Sequence, residues 1–156
     1  MFHRWAALVL VLALCAMSPK NAAGQTQSSK PREPGAGKLG RNYPNPFNPA
    51  TSFTFDVDPD VCTDGSQQHV VTLQIYNLLM VPVAVPVLQV QSTSTTSVPS
   101  ELVGQPLRNL RLGCGHYIGF WNGNLSNGKE APSGPFVARL FVDKKLAGTI
   151  QIFNGK

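Results

Sequence analysis

Charge is what this chain has least of. Only 13% of its residues are Asp, Glu, Lys or Arg, and the bases gather into no stripe that would mark a nucleic-acid-binding face. Ligating side chains are equally scarce, with three Cys and three His in the whole chain. Neither the spacing of a zinc site nor a glycine-rich phosphate loop is present. No serine sits in a nucleophile elbow. The sequence therefore predicts no enzyme, no cofactor and no small-molecule substrate. Long apolar runs are missing too. The run Ala6 to Met17 spans 12 residues, too short to cross a bilayer comfortably. No segment carries the 3.6-residue apolar period of a helix.

Turn formers are abundant instead. Gly 14 and Pro 13 favour short strands joined by many turns. Residues 1–24 read as an export signal: His3 and Arg4, then the apolar run, then Ala22-Ala23-Gly24 as a small-residue cleavage site. Its loss leaves 11 basic residues against 8 acidic ones. Residues 25–40 are polar, with Pro and Gly and no apolar period, and are expected to be a disordered linker. A β domain is expected over 41–156.

Removal of the signal takes Cys15 and leaves Cys62 and Cys114. In an exported domain such a pair reads as one disulfide, or else as two buried thiols. The bridge would close a loop of about 50 residues, worth roughly 3–4 kcal/mol in the chain-entropy model. Asp56, Asp58, Asp60 and Asp64 lie close together and form a weak calcium candidate. Their spacing is not that of an EF-hand, and the plainer alternative is a solvated acidic loop. A Cys114–His116 catalytic pair would need a free thiol.

Period-two alternation marks the strands. It runs over 51–58 (Phe53, Phe55 and Val57 on one face), 69–77 (Val71, Leu73, Ile75), 117–121 and 135–143, with a last strand at 146–153 and a short one at 107–112. The apolar segment 78–91 carries Pro82 and Pro86, so it belongs at a sheet edge. Phe53, Phe55, Leu73, Ile75, Trp121 and Leu140 are the expected core. About seven short strands imply an all-β sandwich.

One stretch is more specific than any of these: Asn42-Tyr43-Pro44-Asn45-Pro46-Phe47-Asn48-Pro49. Its prolines fix φ and bias the preceding residues toward extended conformations, so it reads as a rigid strap leading into the domain. Tyr43 and Phe47 are expected to dock on the Ile118 and Phe120 face of the strand 117–121.

Together with Ala50-Thr51, the strap resembles the NYPNPFNPxT opening of type A sorting domains of type IX secretion, and of domains related to the immunoglobulin-like domain of the flagellar hook-capping protein FlgD. Val71 to Leu79, Tyr117 to Gly123 and Ser133 to Leu140 are similar to that family's VxLxIYDxxG, YxVxWDG and SGVYFYRL stretches. The family commonly has Gly where Met80 stands and a core Val where Gly119 stands. The resemblance implies an immunoglobulin-like β-sandwich. It also implies a role in secretion sorting or cell-surface attachment, through contacts with outer-membrane secretion or attachment machinery. The expected location is the cell surface or medium, with the periplasm as alternative. The rival functions are a stand-alone structural or adhesive domain of the FlgD-like kind and a calcium-dependent binder.

Overall fold

The structure is a computed structural model that describes residues 36–57, 67–90 and 98–156. The expected export signal, most of the expected linker, Cys62, Asp58, Asp60 and Asp64 lie outside these residues. Nine strands follow one another: β1 (Gly37–Tyr43), β2 (Thr51–Val57), β3 (Gln68–Tyr76), β4 (Pro82–Ala84), β5 (Val87–Gln89), β6 (Leu110–Gly113), β7 (Gly115–Trp121), β8 (Gly134–Val142) and β9 (Lys145–Asn154). Among the described residues the only helical element is a 3₁₀ turn, Ser100–Leu102.

Alternation explains the long strands. In β2 every second residue (Phe53, Phe55, Val57) is fully buried, and Ser52, Thr54 and Asp56 between them are half-buried. β3 and β8 repeat the pattern with Val71, Leu73 and Ile75, and with Ala138, Leu140 and Val142. The strands form two antiparallel sheets, ordered β1-β2-β7-β5 and β4-β3-β8-β9, with β6 also pairing on β3. Their inner faces enclose one core that holds Phe53, Phe55, Leu73, Ile75, Trp121 and Leu140. Antiparallel sheets with one face in a shared core and the other toward solvent are the arrangement of a β-sandwich.

The proline-bearing segment divides in two. β4 ends the second sheet and β5 ends the first. Pro82 lies at the start of edge strand β4, and Pro86 lies in the crossing between the sheets, where neither must donate to a central ladder.

Two expectations need correction. β1 starts at Gly37, so residues 37–40 are strand and not linker, and the domain begins before residue 41. The composition misled because glycine here serves close approach. A Cβ on Gly37 would lie 2.6 Å from the Asp56 carbonyl oxygen, while Leu39 between the glycines enters the core. The strap also docks differently. Tyr43 is 83% exposed. Phe47 is fully buried but meets Trp121, ring centroids 5.2 Å apart, on the core face of β7 and not the Ile118 and Phe120 face. The strap closes the end of the sandwich instead of covering its side.

Candidate interaction surface at the strap end

Register brings several chain segments to one end of the sandwich. Tyr43 pairs with Ser52, Thr51 with Trp121, Tyr76 with Val137, and Gly134 with Asn154. The strap, the β3–β4 turn, the loop after Trp121 and the last residues of the chain therefore share this end.

The strap is held from both sides. Asn42 Nδ2 donates to Pro44 O and Thr51 Oγ1, both 3.0 Å, and the Thr51 hydroxyl donates to Pro44 O at 2.9 Å. The peptides before Pro44, Pro46 and Pro49 are cis. The Phe47 N–H donates to Phe153 O, and the Gly155 N–H to Phe47 O, each at 2.8 Å. The Phe153 N–H donates to Asn45 Oδ1 at 3.1 Å. The strap thus ties the start of the domain to its end. Beneath it Phe47, Trp121 and Phe136 form an aromatic cluster, and the Trp121 indole N–H finds Asn124 O at 2.7 Å. Asn154 Nδ2 donates to Ala131 O and Pro132 O, which pins the loop to β9. Pro44, Asn45, Pro46, Asn48 and Pro49 stay exposed.

The β3–β4 turn presents an unusual surface. Leu78, Leu79, Met80 and Val81 are 62%, 83%, 45% and 50% exposed. Four consecutive apolar residues facing water are costly unless something covers them. The turn is nevertheless well formed. The Leu79 and Val81 N–H groups donate to Asn77 Oδ1 at 3.0 and 2.9 Å, and Asn77 also exchanges backbone bonds with Met80 and Val81. Met80 adopts φ 58, a conformation that L side chains resist. Near this turn a cleft of about 560 Å³ opens beside Ala84, Val85, Arg108, Trp121 and Ser126. The Ser126 N–H and hydroxyl both donate to Val83 O, which joins the loop to β4.

The polar candidates lie toward the opposite end. Asp56 hydrogen-bonds His116, its cross-strand partner, on the outer face of the first sheet. No group of three or more His, Cys, Asp or Glu that could hold a metal occurs among the described residues. Cys114 is half-buried, packs against the core and is not a free thiol. His69 Nδ1 lies 2.7 Å from Asp143 Oδ2, and the Val70 N–H donates to Asp143 Oδ1 at 2.9 Å. Burial alone would raise the Asp143 carboxyl. The hydrogen bonds from His69 and Val70 and the charges of His69 and Lys145 outweigh it and hold the group below its ordinary value. Burial pushes the Tyr117 hydroxyl up, and that hydroxyl donates to Gly113 O at 2.8 Å.

Sequence reasoning located the strap but missed its clamp to β9, the exposed turn and the His69–Asp143 bond. Only the turn carried a local signal: Asn77 ahead of an apolar run is a residue that bonds the backbone two positions on.

No protein-family model matches the chain, and no curated protein does. One similar solved structure is the Pseudomonas fluorescens alkylpurine DNA glycosylase AlkC bound to DNA containing an abasic site analog. Identity is 15%, coverage 78% of this chain and 31% of that one, and the TM-score 0.41. A likeness this slight carries no argument about fold or activity.

Proposed function

We propose that this protein is a non-enzymatic exported module of the immunoglobulin-like kind, acting in secretion sorting or cell-surface attachment through protein contacts. The exposed apolar turn at the strap end carries this reading. A rigid, solvent-facing Leu78-Leu79-Met80-Val81 surface beside the strap suits a partner that recognises a folded shape. The strand orders add support. With β1, β2, β7 and β5 read as A, B, E and D, and β4, β3, β8 and β9 as C′, C, F and G, the orders are compatible with an immunoglobulin-like arrangement that carries β6 as an additional strand on β3. The strap resemblance fits the same family. In this proposal residues 1–24 are the export signal and Cys114 is bridged to Cys62.

A fusion tests the reading. Residues 32–156 are attached behind an exported reporter in a host with type IX secretion. Arrival of the reporter at the surface or in the medium is the expected result, with a Leu79→Asp version held back. Retention of both in the periplasm would replace sorting with a stand-alone structural role.

A further inference from the structure

We propose that the open edge of β9 at Thr149–Gln151, walled by the strap, accepts an extended acidic segment of another protein by β-strand addition. The proposal deepens the protein-contact reading above and rests on it.

The argument begins with Phe153. Its N–H and C=O both bond to the strap, so they point away from β8. Its register partner is Pro135, which has no N–H to give. In an antiparallel ladder such outward-facing positions recur at every second residue. Gln151 and Thr149, paired in register with Val137 and Arg139, therefore also direct their N–H and C=O outward. Among the described residues β9 ends its sheet, and its only ladder is with β8.

The strap cannot extend to them. Pro44 and Pro46 lack N–H groups, and Asn45 reaches β9 with a side chain, not with its backbone. β1 forms no ladder with this edge either. It runs close to β9, with Leu39 against Gly148, but it pairs with β2, and its register slips between Leu39 and Asn42, a bulge of the kind that bends an edge strand. What remains is a groove of about 580 Å³ lined by Arg41, Tyr43, Pro44, Pro46, Ile150 and Gln151.

The lining states the chemistry of the guest. Two outward residues offer up to four main-chain hydrogen bonds, which only an extended backbone satisfies together. Arg41 is exposed and has no acidic partner among the described residues, so it calls for a carboxylate. The exposed Tyr43 ring and Ile150 favour an apolar side chain next to that acid.

The test titrates the full chain with a capped hexapeptide of alternating Val and Glu, followed through backbone amide NMR signals and amide hydrogen exchange. The Thr149 and Gln151 amides should shift and gain protection. Methylating alternate peptide nitrogens should weaken binding at least about tenfold, as should Gln151→Pro. That proline removes an outward N–H and leaves the β8–β9 ladder its bonds. Arg41→Glu should reverse the preference toward an alternating Val and Lys peptide. Unmoved Thr149 and Gln151 signals, or binding indifferent to peptide methylation, would overturn the proposal. So would a self-associated chain that the peptide does not dissociate, since a second copy would then hold the edge. Carrying Gln151→Pro into the reporter fusion separates the two readings. Lost peptide binding with normal export means that sorting does not use this edge. Normal binding with no export overturns sorting alone.

Discussion

At the scale of single residues, conformation and contact pull against each other at Met80. A left-handed residue other than glycine costs about 1–2 kcal/mol, and glycine gives back roughly 0.5–1 kcal/mol of that through its greater freedom when unfolded. Met80→Gly should therefore stabilise the domain by roughly 0.5–1 kcal/mol, read as a rise in the thermal midpoint, while removing a side chain from the apolar turn. A stabilised variant with impaired export would mean that the side chain is kept for contact. Gly119 poses the reverse case. A Cβ there would lie 2.8 Å from both Leu73 Cδ2 and Leu107 Cδ1, so leucines fill the space a larger residue would need. Gly119→Val should destabilise by about 1–3 kcal/mol through overpacking, measured by urea unfolding. Asp143 adds a pH dependence. Its folded carboxyl titrates below its ordinary value, so its contribution is complete above the unfolded value of about 3.9 and is lost as pH falls through the lower folded value. The stability difference between the protein and Asp143→Asn should close as the pH drops below about 4. A gap that ignores acid would dismiss the hydrogen bonds as its cause.

At the scale of elements, the strap acts less as a cover than as a clasp. Phe47 fills the end of the core, and its main chain joins the last strand. Phe47→Ala should cost about 3–5 kcal/mol, with amide exchange quickening first at Phe153 and Gly155. Loss spread evenly over both sheets would mean that the strap has no separate opening. The strap was legible as a rigid segment because proline constrains the backbone locally. Its docking was not, because choosing between the two faces of β7 depends on where the end of β9 lies, a contact between residues far apart in sequence. β2, β3 and β8 were legible because each turns one face to a core and the other to water. β1 was not. Its glycines, needed against β2, erase the alternation that would have announced it. The apolar turn 78–81 read as strand because hydropathy does not distinguish a residue buried by its own fold from one that awaits a partner.

At the scale of the whole molecule, the question is where the folding unit begins. Residues 37–40 supply three of the five register pairs that β1 makes with β2: Gly37 with Val57, Lys38 with Asp56, and Leu39 with Phe55. They also bring Leu39 into the core, between β2 and the Gly148 position of β9. Removing a buried leucine alone costs roughly 2–5 kcal/mol, and the lost ladder adds to that. Domains of this size are stable by only about 5–15 kcal/mol in all. A chain that starts at residue 41 should therefore be marginal or unfolded. It would also expose the backbone of β2 as a new edge, an invitation to aggregation. A chain that starts at Arg32, a few residues ahead of β1, should keep a sharp cooperative melt and dispersed amide signals. Equal melting of the two chains would make β1 dispensable and return residues 37–40 to the linker.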